Sequence, residues 1–270
     1  MDQRDVLGHL RQRLADLVAI AQTVTGEVRF QDDDDLALMA VCFLSKQIGH
    51  AESVLLLGES TDVVLIVRAM LEGICQLKWA AQEPTLRAKK WRDFVWVHDS
   101  RAIRAHQTLG QPVDPPAEQV ICDGLHAVRE MFFTRDAAKA LKRGAALPAN
   151  PFYANWTGMA VQQIFAAVGA DERYAIYKSF SDWQHWSIGG IGRSLIPSPD
   201  GMNYVTHENG WNLVALVLAF QCLWDTTQLV NNHLKLGLGD QLQRAYDQWF
   251  HEAQAALADV EPEHDAGPDQ

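Results

Sequence analysis

Apolar residues recur at helical spacing along most of the chain, in segments separated by Gly, Pro and Asn. The periodicity predicts helices over residues 3–24, 32–57, 62–80, 84–108, 117–143, 158–168, 171–188, 211–236 and 239–257. One of these, 117–143, has the pattern of one or two helices, and the total is about eight or nine. The chain is therefore predicted to be all-α.

Several residue types mark where these helices begin and end. Gly58 follows the second helix, and Pro84 has the position of a first helical turn. Ser60 or Thr61 is the expected N-cap of the helix over 62–80, and Thr157 that of the helix over 158–168. Residues 196–210, between the predicted helices 171–188 and 211–236, contain a Pro-Asp-Gly turn. This pattern predicts a long surface loop with a small hairpin.

The segment 62–80 is apolar on nearly every side of a helical wheel, except for one polar line. Such a helix is normally buried on several sides. We therefore expect a single irregular bundle around this helix, forming one domain over residues 1–258, followed by a disordered acidic tail over 259–270. The side chains expected to be inaccessible are those of Val64, Leu65, Val67, Leu71, Ile74 and Cys75.

Composition favours a globular protein of the cytoplasm. The chain has 270 residues, 48% of them hydrophobic, and its four cysteines lie far apart in apolar segments, as expected of buried thiols in a reducing compartment. Residues 1–14 are charged and lack the apolar core of a signal peptide. The most apolar segment, 211–224, contains Asn212 and Gln221 and is shorter than the roughly 20 residues that a membrane span requires.

The net charge of −11 is spread unevenly. Residues 84–143 carry eleven Lys and Arg against seven Asp and Glu, whereas residues 1–60 carry five against ten. The acidic total disfavours non-specific binding to nucleic acid, but the middle of the chain provides one basic surface. An ordinary solvated helix face explains the same charges.

Two polar lines occur on otherwise apolar predicted helices. Four-residue spacing places the first line on the helix 62–80 and the second on the helix 171–188. The first consists of Arg68, Glu72 and Gln76, and the second of Tyr177, Ser181 and His185. A buried charge without a partner costs several kcal/mol, so the two lines are expected to face each other. The cluster is either a hydrogen-bonded core network that fixes helix register or a site for a small molecule or protein partner.

The same residues carry a family resemblance. An aliphatic run with Arg68 and Glu72 precedes Pro84 and a helix rich in Arg and Lys, and further elements follow in the order Asn155-Trp156-Thr157-Gly158, Tyr174, Tyr177, Ser181 and His185. Over about residues 40–195 this order resembles the bacterial helical family known as DUF5677, a domain of unknown function. The sequence departs from that pattern at Trp183 and Trp186 and in the paired glycines after them. The resemblance implies an all-α fold and no established activity.

An alternative candidate site lies in the basic helix. Arg92 and His98, followed by Arg101 and His106, resemble the Arg-polar-x(3–5)-His signature of the HEPN ribonuclease superfamily. In that chemistry the His is a general acid or base and the Arg stabilises charge on the phosphorus without a metal. The alternative function is therefore a metal-independent endoribonuclease of toxin or phage-defence type, with RNA as partner and Arg92 and His98 acting across a homodimer.

Other chemistry is disfavoured by the motifs that the sequence lacks. It contains no glycine-rich phosphate-binding motif, no GxSxG, no HExxH and no CxxC. We therefore expect neither a nucleotide cofactor nor a metal. The sequence does not decide whether any reaction is catalysed.

Overall fold

The computed structural model describes residues 3–58, 60–184, 195–204 and 209–258. The described residues form ten α-helices and one two-stranded antiparallel sheet, so the fold is an irregular all-α bundle. The helices are α1 (Gln3–Glu27), α2 (Asp35–Leu57), α3 (Val63–Gln82), α4 (Pro84–Thr108), α5 (Pro115–Val128), α6 (Arg135–Lys142), α7 (Val161–Ala167), α8 (Asp171–Gln184), α9 (Asn209–Leu234) and α10 (Gly239–Ala258). The predicted segment 117–143 is divided into α5, a 3-10 helix (Arg129–Phe132) and α6.

Helix α3 is the centre of the bundle, as its all-round apolar pattern predicted. It packs against α2, α4, α7, α8 and α9. Five of its six predicted core residues are buried, whereas Leu65 is only half-buried. Leu65 differs because its side of α3 is not fully covered. The main hydrophobic core extends along the chain from Val6 to Ala256.

Helix α9 is the second core helix and buries as many apolar side chains as α3 does. Its 24-residue stretch Trp211–Leu234 is the one segment among the described residues that is long and apolar enough to cross a membrane. That stretch is ten residues longer than the apolar segment 211–224 identified in the sequence. In the most apolar 18 residues of this stretch, 67% are buried inside the fold, as expected of the core helix of a bundle.

Four helix starts and ends show which local signals were correct. Gly58 follows α2 with a positive φ of 65°, and Pro84 is the first residue of α4. Thr157, however, is not an N-cap, because α7 begins later and Ala160 occupies the cap position. The hydroxyl of Thr157 instead donates to Asn155 Oδ1 over 2.7 Å, within the loop before α7. At α3 the cap position belongs to Asp62, whose backbone N–H donates to the Ser60 hydroxyl over 3.3 Å.

The segment from the end of α4 to Phe152 builds a small second core on the outside of the bundle. The buried residues of this core are Val97, Phe132, Phe133, Ala137 and Phe152. Helix α5 has no buried residue and is held to α4 largely where the Trp96 ring lies against Gly124. A Cβ at Gly124 would lie 2.4 Å from the indole, so only glycine fits there without a shift.

The predicted hairpin is present. Strands β1 (Leu195–Ser198) and β2 (Gly201–Tyr204) pair antiparallel around the Pro-Asp-Gly turn. The acidic tail over 259–270 lies outside the described residues, so both its disorder and the domain boundary at 258 stay predictions.

Candidate functional site

The two predicted polar lines meet between α3 and α8. Arg68 donates from Nε to the Ser181 hydroxyl over 2.7 Å and from Nη2 to the Tyr177 hydroxyl over 2.9 Å. Its guanidinium carbon also lies 4.8 Å from the centre of the Tyr177 ring. Ser181 in turn donates to the Tyr177 backbone carbonyl over 2.9 Å. Among the described residues, the half-buried guanidinium of Arg68 is thus held by groups on α8.

Glu72 continues the same hydrogen-bond chain on α3. Its Oε2 accepts from the Tyr177 hydroxyl over 3.2 Å, and its Oε1 accepts from Gln76 Nε2 over 3.0 Å. Gln76 Oε1 accepts from the indole N–H of Trp156 over 3.0 Å, which fixes the orientation of the amide. Glu72 is therefore bridged to Arg68 by the Tyr177 hydroxyl, and the carboxylate is held from both sides.

Helix α8 is placed beside α3 by a second polar contact, at Asp225 of α9. One oxygen of Asp225 accepts from Lys78 over 2.7 Å and from Arg173 over 3.1 Å. Lys78 belongs to α3 and Arg173 to α8, so one carboxylate joins three helices.

Burial, and then the charge of Glu72, raise the pKa of Tyr177, which keeps its hydroxyl protonated and able to donate.

Of the six residues in the predicted cluster, the structure brings five together. They are Arg68, Glu72, Gln76, Tyr177 and Ser181. His185 lies outside the described residues, so its predicted place in the cluster stays a prediction.

The cluster opens on one side into a cleft between α2, α3 and α4. Glu72 and Gln76 line this cleft, whereas Arg68, Tyr177 and Ser181 do not. Its volume is about 500 Å³, within the range of sites for small molecules. The full lining is Cys42, Phe43, Lys46, Gln47, His50, Ala69, Glu72, Gly73, Gln76, Trp91 and Trp156. We call it the α2–α3 cleft.

The wall opposite Glu72 is a polar line on α2 that the sequence analysis missed. Cys42, Lys46 and His50 follow one another at four-residue spacing, the same signal that marked Arg68, Glu72 and Gln76. The line lies among apolar residues of a predicted helix and was therefore visible in the sequence. What the spacing does not show is that this line faces α3 across a cleft.

Two polar atoms in the lining of the cleft are shielded from solvent and have no hydrogen-bond partner among the described residues. They are Gln47 Oε1 and His50 Nε2. Gln47 is 3% exposed, and its Nε2 donates to the Met70 carbonyl over 2.9 Å, so the amide cannot be turned around without placing oxygen against oxygen. A buried polar atom without a partner costs about 1–3 kcal/mol. Burial, and next the charge of Lys46, lower the pKa of His50 and favour its neutral form.

Aromatic side chains form the apolar part of the cleft. Phe43 and Trp91 pack edge to face with their ring centres 5.8 Å apart, and Trp156 packs on Trp79 at 5.4 Å. Gly73 leaves the floor open: a Cβ there would lie 3.3 Å from Gln47 Nε2 and 3.9 Å from the Phe43 ring. The cleft thus combines charged groups on facing helices with aromatic surface.

The alternative pair, Arg92 and His98, is not brought together. Arg92 donates to Asp35 Oδ1 over 2.8 Å and to the Asp32 carbonyl over 3.1 Å, and its hydrogen bond to Asp35 raises the pKa of its guanidinium. His98 is 76% exposed beside Asp99. On one helix, six residues correspond to about 120° of rotation and about 9 Å of rise, so the two side chains face different directions.

The cysteines divide into two pairs, which corrects the expectation that all four are buried. Cys75 and Cys222 are buried, but Cys42 is exposed in the lining of the α2–α3 cleft, and Cys122 is exposed on α5, which has no buried residue. Burial raises the pKa of the Cys75 thiol to about 12 and also raises the pKa of Cys222. In the described part of the chain, no three His, Cys, Asp or Glu side chains are grouped as metal ligands.

Comparison with known families gives one match. The model of a family described as "Family of unknown function (DUF5677)" matches residues 37–203. The matched segment includes every residue that lines the α2–α3 cleft. No curated protein and no solved structure matches the chain.

Proposed function

The chain belongs to the DUF5677 family of unknown function, and we propose that it is a binding module for a small organic molecule, which the α2–α3 cleft receives. The observation that carries the proposal is the Oε1 atom of Gln47. It is buried and unpartnered among the described residues, in a cleft of about 500 Å³ whose opposite wall carries Glu72. A ligand that donates a hydrogen bond there would remove the cost of burying this atom unpaired.

The polar cluster has a supporting role in this proposal. Glu72 is the member that reaches the ligand, since it lines the cleft with a carboxylate held by Gln76 and Tyr177. Arg68 does not line the cleft, and its donors are directed to Ser181 and Tyr177. Arg68 therefore positions Tyr177, and through it the carboxylate. A carboxylate held in place before binding loses less conformational freedom when the ligand arrives.

The test is a thermal-shift screen of amino acids, amines, carboxylates, nucleosides and sugar phosphates on three proteins. Gly73→Met places a side chain in the floor of the cleft, whereas Gly49→Met adds the same side chain to α2 where a Cβ has no atom within 4 Å. A ligand at 100 times its Kd stabilises the folded state by about 2.7 kcal/mol. At least one compound should raise the Tm of the unmodified chain and of Gly49→Met, but not of Gly73→Met. A screen in which Gly73→Met responds like the other two proteins would refute the proposal.

The ribonuclease alternative has less support, because the guanidinium of Arg92 is already paired with Asp35. Its test is cleavage of single-stranded and structured RNA by the purified protein and by His98→Ala. Cleavage that disappears in a folded His98→Ala variant would establish it. We propose a cytoplasmic location, because the four cysteines are free thiols, as is usual in a reducing compartment.

A further inference from the structure

We infer that the ligand of the α2–α3 cleft is a small zwitterion built like an apolar α-amino acid, with an ammonium and a carboxylate group in one molecule. The inference rests on the proposed binding function and names its ligand class. It begins from the two charges in the cleft. Lys46 on α2 makes no hydrogen bond or salt bridge with any described residue, and Glu72 on α3 makes no salt bridge with one.

The cleft therefore has an exposed ammonium group on α2 and a half-buried carboxylate on α3, and the two form no salt bridge with each other. A ligand with a carboxylate toward Lys46 and an ammonium toward Glu72 satisfies both through charge-assisted hydrogen bonds. A ligand with only one charge leaves the other wall unpaired or faces it with a like charge. A phosphate ester bound toward Lys46 would leave Glu72 without a partner, and the cleft lies along the middle of α2 and α3, away from the helix N-termini that bind phosphate.

The unpartnered oxygen of Gln47 indicates which charged group of the ligand it would contact. Its Nε2 is committed to the Met70 carbonyl, so Oε1 can only accept a hydrogen bond. The Glu72 carboxylate can also only accept hydrogen bonds, and it already accepts one from Gln76 and one from Tyr177. Two acceptors in the lining, Gln47 Oε1 from α2 and the Glu72 carboxylate from α3, match a group with several N–H donors, and a primary ammonium has three.

The aromatic residues that line the cleft indicate what side chain the ligand carries. Phe43, Trp91 and Trp156 provide aromatic surface, which favours an apolar or aromatic side chain over a sugar or a second charged group. An aromatic surface next to a carboxylate also attracts an organic cation. A quaternary cation would meet the aromatic surface but has no N–H donor for Gln47, so the experiment includes one as a contrast.

The experiment is calorimetric titration of the full chain with five probes. L-phenylalanine and L-leucine carry both charges, glycine betaine carries a quaternary cation, and 2-phenylethylamine and 3-phenylpropanoate each carry one half of phenylalanine. The unmodified chain is expected to bind a zwitterion at least about tenfold more tightly than either half, because each half loses one charge-assisted contact. The two amino acids are expected to bind more tightly than glycine betaine, whose quaternary ammonium has no N–H to donate to Gln47 or Glu72; the reverse order would contradict the inference.

Two variants assign the contacts to their residues. Lys46→Met keeps the aliphatic stem and removes the charge, so it should weaken L-phenylalanine about tenfold and leave 2-phenylethylamine unchanged. Glu72→Gln keeps the shape and should weaken 2-phenylethylamine while leaving 3-phenylpropanoate unchanged. Far-ultraviolet circular dichroism confirms that both variants are folded.

Two results separate this inference from the proposed function. The inferred ligand class is wrong if 3-phenylpropanoate binds as tightly as L-phenylalanine. It is also wrong if no zwitterion binds while another compound binds and loses its binding in Gly73→Met. In both cases the proposal that the cleft binds a small molecule stands. If no compound of any class is sensitive to Gly73→Met, both are wrong.

Discussion

The hydroxyl of Tyr177 donates a hydrogen bond to the Glu72 carboxylate over 3.2 Å, from a residue 105 positions further along the chain. Through the same oxygen it accepts from Arg68, so a half-buried cation and a carboxylate on one helix are joined by a neutral group on another. The carboxylate faces the α2–α3 cleft with its position fixed from behind.

The first prediction concerns this hydroxyl. Tyr177→Phe should lower the free energy of unfolding by about 1–2 kcal/mol, because Arg68 and Glu72 each lose a hydrogen-bond partner in a half-buried place. Urea denaturation measures the loss. Tyr174→Phe is the matched control, since Tyr174 stacks on Tyr177 with ring centres 5.9 Å apart and its hydroxyl has no hydrogen bond among the described residues. Equal stability of the two variants would show that the bridge contributes nothing.

The second prediction concerns pH. Burial and Lys46 lower the pKa of His50 in the folded chain below the ordinary value of 6.5, which applies when the chain is unfolded. As the pH falls through 6.5, the unfolded chain binds a proton that the folded chain resists, so stability is lost below pH 6.5 and unaffected above it.

His50→Gln removes this dependence, and its Tm should fall less than that of the unmodified chain between pH 7.5 and about pH 5.5. Thermal melts at intervals of half a pH unit measure the difference. His126→Gln, at an exposed position, controls for the loss of an imidazole. Parallel Tm curves for His50→Gln and the unmodified chain would contradict the prediction.

The third prediction reverses the usual effect of a helical glycine. Replacing Gly by Ala within a helix normally stabilises it by up to about 1 kcal/mol. Gly49→Ala should follow that rule, because a Cβ there meets nothing within 4 Å. Gly124→Ala should instead destabilise by about 1–3 kcal/mol, since its Cβ overlaps the Trp96 ring. Chemical denaturation of the two variants gives both signs, and a stabilised Gly124→Ala would mean that the indole moves away without cost.

The fourth prediction tests the central helix. Leu71 is fully buried, so Leu71→Ala should cost about 2–5 kcal/mol through lost burial and the cavity that remains. Leu65→Ala on the same helix is the comparison, and it should cost less because Leu65 is only half-buried. Equal losses would show that the two sites are equally packed in solution.

Much of the site was visible in the sequence as separate lines of residues. Arg68, Glu72 and Gln76 were found by their spacing, and the expectation that they meet Tyr177 and Ser181 followed from the cost of leaving charge unpaired. Lys46 and His50 have the same spacing on α2 and were missed, because one polar line on a helix is equally typical of a solvated face.

The sequence by itself determined the helical class, most helix boundaries and the polar line of α3. These depend on neighbouring residues: apolar periodicity, a proline that begins α4 and a glycine that ends α2 act within a few positions along the chain. Only the tertiary structure decided which side of Glu72 is open, and that Gln47 lies against Met70 with one atom unpartnered. Which helix faces meet is decided by the packing of side chains far apart in sequence, and no local pattern contains that information.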